Sequence, residues 1–527
     1  MRFLVLPNRR CYRQLLNEGA GTATDSRPDS NTACRHELPV PSRFDLSEFT
    51  QRPRIPAKIA TNTDWPSVVS YSSESHTSQN GVCYTDTLSK LNFTGDHVMR
   101  VPITSVLIFL TSGAIADDWP QWGGPQRDGV WRETGIVDRL PEEEVLPRKW
   151  SVPVGEGYSG PAVARGRVFL TDRQAEQGHE RILCLDAHDG AELWQHSYAA
   201  RYTISYPAGP RATPVIDDGR VFTLGAVGDL FCFSAVSGKI MWTKNFPKDF
   251  GTVLPVWGMA AAPLVDGDHL ITLVGGTNGG LVICLDKATG QEIWRALDDP
   301  AIGYCPPMIF EFSGRRQLII WHPTAVTALD PDDGSVIWEI PWSIQAGLCI
   351  AAPRKIGEQL FLTAFYNGPM MLNVSVGSAA VAWKGTSNSE IETDGLHSIM
   401  PTPWVDQENI FGVCSYGQLR CLETLTGKRR WESRKATGSG RWWNAFIIRH
   451  QDRFFIHNEQ GDLIIAYLSA DGYQEVSRSR LVAPTRKVQR RMTVWSHPAF
   501  AQKSVFARND RELVRVDLSD SDTTGVQ

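Results

Sequence analysis

The feature that most constrains this chain is a tryptophan that recurs with a near-constant step. Trp150, Trp194, Trp242, Trp294, Trp338, Trp383 and Trp431 follow one another at intervals of 44 to 52 residues, and a further step of 45 lands on Val476 in YQEVSRSR. Most are preceded by a turn of the acidic-x-x-Gly type, as in DAHDG, SAVSG, DKATG, DPDDG and ETLTG; the segment before Trp383 departs, with VSVGSAA. Glycine supplies the positive φ that such turns require. Upstream lie two short apolar runs, VFLTD and RILCLDA before Trp194, which read as strands bounded by turn residues.

A second marker opens each unit, small residues followed by Pro. Its instances are Ser159-Gly160-Pro161, Ala212-Thr213-Pro214, Ala261-Ala262-Pro263, Cys305-Pro306-Pro307, Ala351-Ala352-Pro353 and Pro401-Thr402-Pro403. Trp443-Asn444-Ala445 is a degenerate seventh and Ser496-His497-Pro498 an eighth. A period of 40 to 50 residues with four strands per unit is the pattern of a β-propeller. The expected fold is therefore all-β, an eight-bladed β-propeller of four-stranded antiparallel blades. The last unit ends without its own outer strand, and Lys149–Val152 is an outer strand without a unit. Joining them closes the ring and removes the unpaired edges of an open array. The repeated Trp residues share one slot and are expected to wedge between blades, where a large aromatic buries most area.

Composition narrows the function. The net charge of −5 gives no basic surplus for nucleic acid. None of the ten Cys forms CxxC, CxxCH or a vicinal pair, which argues against c-type haem attachment, a thioredoxin-like site and a zinc knuckle. Cys184, Cys232, Cys284 and Cys421 occupy one strand position and read as small buried hydrophobes. Cys305, Cys349 and Cys414 are unassigned, with a Cys305–Cys349 disulfide left open.

Residues 1–98 are rich in polar residues and Pro without a period and read as a disordered leader or a mis-assigned start. Met99-Arg100, the apolar run VPITSVLIFL and Ala114-Ile115-Ala116 have the three parts of a secretory signal peptide over 99–116, with a buried strand or membrane anchor as the other reading. Residues 117–148 are expected to pack on the ring, 149–520 to form it, and 521–527 to be a disordered tail. An exported, periplasmic or extracellular monomer with no membrane span after cleavage follows.

GRVFLTD…RILCLDAHDGAELW, RVFTLGAVGDLFCFSAVSGKIMW and LITLVGGTNGGLVICLDKATGQEIW resemble the quinoprotein-type repeat, named after pyrroloquinoline quinone (PQQ) dehydrogenases, over almost all of 117–520. The resemblance implies a propeller used in two ways: by the outer-membrane assembly lipoprotein BamB as a binding scaffold, and by alcohol dehydrogenases that hold PQQ with Ca²⁺ over the ring centre. The dehydrogenases typically carry a vicinal disulfide, absent here; BamB carries a lipid-bearing Cys, also absent.

Positions just before each innermost strand crowd the channel mouth of a propeller. Here they hold Tyr158, Tyr206, Arg211, Trp257, Tyr304, His397, Arg441, Trp442, Trp443 and Trp495. An aromatic collar with a few polar groups is the default ligand site, and the same residues would equally serve to plug the channel. Arg441 is the expected carboxylate clamp, beside Trp442 or Trp443. His322, His397 and His497 are lone, Asp186, Asp286 and Asp330 form turns, and there is no nucleophile elbow or phosphate loop; neither catalytic nor metal-binding residues are assigned. The reading is an exported non-catalytic scaffold for an envelope protein or peptide. The alternatives are a PQQ-dependent dehydrogenase of alcohols or polyols and a carbohydrate- or peptide-binding propeller.

Overall fold

Each repeat unit folds into a four-stranded antiparallel sheet, and eight such sheets form the ring. They belong to a computed structural model that describes residues 117–276, 280–299 and 301–520. The expected leader, signal peptide and C-terminal tail lie outside the described residues. Blade 1 consists of Ala162–Ala164, Arg167–Gln174, His179–Asp186 and Glu192–Ala199, and blades 2 to 7 repeat this order. Its middle strands are buried on both faces, whereas Glu192–Ala199 alternates between exposed and half-buried residues. That gradient is the one a sheet shows when its first strand lines the axis and its last the rim. The eighth sheet joins Ala499–Ala501, Ser504–Arg508 and Glu512–Asp517 to Trp150–Pro153, with Trp150 opposite Arg515.

The recurring Trp and the turn glycine meet in one contact. Trp194, Trp242, Trp294 and Trp431 stand opposite Cys184, Cys232, Cys284 and Cys421, one residue from a bulge in the outer pair. Each bulge turns the indole toward the next blade. Trp150, Trp194, Trp242 and Trp383 donate Nε1–H to the carbonyls of Ala187, Ala235, Lys287 and Thr424, at 3.0 to 3.1 Å. The turn glycine of the next blade lies flat against the same ring: a Cβ on Gly190 would come within 3.0 Å of Trp150, and one on Gly290 within 2.7 Å of Trp242. Gly190 has φ +78°, so glycine is required there both for its backbone and for the approach.

Two expectations are corrected. In blade 7 Ile465 pairs with Ser477 and Ala466 with Glu475, so Ser477 fills the tryptophan slot and Val476 is the bulged residue. A fixed step cannot register the bulge to one residue. Cys305 and Cys349 are both free, buried thiols; their sulfurs lie near the carbonyls of Pro306 and Gly347 instead.

Residues 119–131 cross one end of the ring. Trp119 exchanges backbone bonds with Val163 of blade 1, Pro120 accepts from Ile216 of blade 2, and Trp131 donates to Arg449 of blade 7. Arg127, 4% exposed, donates to the carbonyls of Pro263 and Ala262, and Arg354 of blade 5 donates to the carbonyl of Arg127. Trp119 and Trp131 are 1% exposed and pack on Phe500. This end carries the hairpins that follow each innermost strand; the mouth residues precede those strands and lie at the other end.

Candidate functional site: the channel mouth

The loop Tyr202–Arg211 leads into blade 2 and is shaped by two guanidinium groups. Arg211 donates to the carbonyls of Ser205, at 3.0 Å, Tyr206, at 2.6 Å, and Gly209. Arg173 donates to the carbonyl of Pro207 and stacks 3.9 Å above the Tyr202 ring. Carbonyls so gathered turn the chain sharply, and Tyr206 sits at φ +53°. Trp442, before blade 7, sits at φ +65°. A bulky residue in the left-handed region is strained and persists only where its surroundings fix it. These two rings meet edge to face at 6.2 Å, and Trp495, before blade 8, joins Tyr206 at 6.0 Å. Loops of three blades thus build one aromatic cluster, in which Tyr206 is 36% exposed and both indoles are half-buried.

Charge surrounds the cluster. Arg441 lies 4.6 Å from the Trp442 ring and donates to Glu390 at 2.8 Å and to the Tyr366 hydroxyl at 3.1 Å; Tyr416 donates to the other Glu390 oxygen at 3.0 Å. The expected carboxylate clamp is therefore already closed on a carboxylate of the same chain. Arg491 pairs with fully buried Glu459, which also accepts from the Trp495 indole at 2.9 Å. Burial raises the Glu459 carboxyl against the opposing pull of Arg491 and Trp495. Tyr158 lies between blades 8 and 2: the guanidinium carbons of Arg211 and Arg486 stand 5.0 and 4.7 Å from its ring centre. Arg486 pairs with Asp510.

The other expected collar residues separate. Trp257 and Tyr304 form their own edge-to-face pair at 5.6 Å. His397 is fully buried, between Asp394 at 3.2 Å and the Phe365 carbonyl, and burial lowers its pKa. Trp443 is 2% exposed and packs against Gly417 and Gly438. Neither belongs to an accessible surface: the residue before an innermost strand points into the mouth or into the blade according to local loop length, which spacing does not encode. Sequence reading missed Glu390, Glu459, Arg486 and Asp510, which lie far from the repeat markers. Only the basic run Arg486-Lys487-Val488-Gln489-Arg490-Arg491 was a visible signal.

Deeper in the ring, His497 reaches across Gly160 to the Thr213 hydroxyl at 2.9 Å, beside buried His457. Burial lowers the pKa of each imidazole to about 4.

PQQ with Ca²⁺ needs cations for its carboxylates, which Arg173 and Arg211 could supply, and converging ligands for the metal. Among the described residues no three His, Cys, Asp or Glu side chains are placed to hold a metal ion. At the mouth, Glu390 and Glu459 are each taken by a guanidinium. The residues present do not fit the group.

The family described as outer membrane protein assembly factor BamB matches residues 178–433. The 1-butanol dehydrogenase (quinone) of Thauera butanivorans is 25% identical over 183 residues, which span 31% of this chain and 28% of that protein. The quinohemoprotein alcohol dehydrogenase from Comamonas testosteroni has a TM-score of 0.53 at 13% identity, over 76% of this chain and 80% of that one. BamB from Moraxella catarrhalis has a TM-score of 0.50 at 15% identity, over 70% and 99%. The structural likenesses speak to fold alone. In its eight repeats and their shared markers, the chain is similar to the quinoprotein-type repeat β-propellers of BamB and the quinoprotein alcohol dehydrogenases.

Proposed function

We propose that this chain is an exported, non-catalytic binding propeller that takes up a polypeptide partner at its channel mouth, in the manner of an envelope scaffold. The carrying observation is the aromatic cluster of Tyr206, Trp442 and Trp495, two of whose members hold strained backbone to bring their rings together. Strained backbone that its surroundings must hold in place clusters at functional sites. The relative named as an outer membrane assembly factor supports the scaffold reading. The relative named as a quinone dehydrogenase supports the second reading, oxidation of an alcohol with PQQ; the paired mouth carboxylates weigh against it.

One experiment separates them. Purified protein is melted with and without saturating PQQ and Ca²⁺, and dye reduction is followed with alcohols. An unchanged melting temperature and no dye reduction are expected. A cofactor-dependent rise with turnover would replace the scaffold by the dehydrogenase.

A further inference from the structure

The chain carries a net charge of −5, yet the arc of the mouth formed by blades 8, 1 and 2 is basic. Arg173 and Arg211 direct their bonds to carbonyls, and among the described residues neither has a carboxylate within ion-pair distance. Between blades 7 and 8 the chain adds a two-stranded ribbon, Arg486–Val488 paired with Arg491–Thr493. Lys487 and Arg490 stand exposed on it, next to Met492, 45% exposed. Against these cations and Arg486 stand four carboxylates. Asp172 is buried and taken by Arg181. Asp510 is taken by Arg486. Glu180 is 1% exposed beneath the loop and accepts from Tyr198 and Tyr202. Glu156 lies beside Tyr158.

Two guanidinium groups also converge on the single ring of Tyr158. The ring's π face offsets part of their mutual repulsion, and an anion between them would offset the rest. Apolar surface adjoins the same arc: Tyr206 and Val256, 36% and 54% exposed, come from loops joined by the backbone bond from Ser205 to Val256.

Building on the mouth reading above, we infer that the partner segment is acidic. It places a carboxylate at Arg211 beside Tyr158, and an apolar side chain on the Tyr206–Trp442–Trp495 cluster. The ribbon's Lys487 and Arg490 attract it from a distance, an interaction that salt screens. The occupant is a polypeptide because the site combines a charged arc with an extended apolar rim across several loops, wider than one small anion needs.

The test uses the full chain and three fluorescein-labelled pentapeptides, Gly-Glu-Phe-Glu-Gly and its Ser and Lys counterparts, followed by fluorescence anisotropy. The Glu peptide binds best, the Lys peptide worst, and raising salt from about 20 to 200 mM weakens the Glu peptide alone. Arg211→Gln weakens the Glu peptide about tenfold, the size of one good charge-assisted contact. Because Arg211 also holds its loop, the double substitution Lys487→Gln, Arg490→Gln on the exposed ribbon is the second arm, and it lowers the association rate severalfold. If the Ser peptide binds as tightly as the Glu peptide and neither variant changes the difference, the acidic preference is wrong and the mouth reading stands. If no peptide binds, or if Tyr206→Ala leaves all binding unchanged, both fall.

Discussion

The two ends of the ring are built from the same residue types and do opposite things with them. At the closed end Trp119, Trp131 and Arg127 are 1%, 1% and 4% exposed, and every ring is packed against Phe500 or Phe455 or capped by backbone. At the mouth Tyr206, Trp442, Trp495 and Arg211 stay partly in solvent. The closed end satisfies itself with main-chain bridges from one continuous segment. The mouth instead draws single residues from loops of separate blades; positive φ occurs at both ends, at Arg127 as at Tyr206 and Trp442. Tryptophan and arginine content therefore does not distinguish a seal from a binding surface; burial does.

Breaking the closed end should have the largest effect. Trp131→Ala empties a fully packed site and leaves Glu133 without its indole donor. We expect a loss of about 3–5 kcal/mol, read from denaturant midpoints, and an undiminished stability would mean that 119–131 is not part of the fold's core. Between the ends, His457 and His497 should make stability fall in acid. Their folded pKa of about 4 lies below the ordinary 6.5. Between those values the unfolded chain binds protons that the folded chain does not, so stability is full above about pH 6.5 and is lost as pH falls toward 4. The loss from His457 alone is about 3 kcal/mol, and His457→Gln should flatten the pH profile of the unfolding midpoint.

Gly160→Ala sharpens the contrast at the axis. A Cβ there strikes the His497 ring and its carbonyl, and overpacking of this kind costs about 1–3 kcal/mol; an unshifted melting temperature would show that His497 is free to move. The smallest effect belongs to the mouth. Tyr206→Gly relieves a left-handed backbone while removing one ring, so stability should change by no more than about 1 kcal/mol in either direction, with peptide binding lost. A large destabilisation would recast Tyr206 as packing.

The fold was legible because its determinants are local and repeated. Each blade states its own turn glycine, buried strand pair and terminal Trp, and the eight blades follow from the count. The mouth was legible only in outline. That Arg441 and Trp442 stand there could be read from their place before an inner strand. That Arg441 is bound to Glu390, 51 residues away, could not, since the partner sits on the loop of another blade and shares no spacing with it. His397 and Trp443 carried the same signal as Trp495, yet the depth of each was set by the packing of its loop, a tertiary property. The bulge that moves the repeat from Val476 to Ser477 is likewise a matter of pairing that no period reveals.

That serine has a consequence for the ring's symmetry. Eight similar blades offer eight similar seams, and the N-terminal segment, which runs directly into Trp150–Pro153 of blade 8, meets the neighbouring blade 7 where its seam differs. At blade 7 the missing indole leaves a notch, and the N-terminal segment enters it. Leu140 donates its N–H to the Ser477 hydroxyl at 2.9 Å, Ser479 donates to the carbonyl of Pro141, and Leu140 and Leu146 are buried there. One altered residue thus gives the segment a seat at blade 7 that a tryptophan in the same slot would fill.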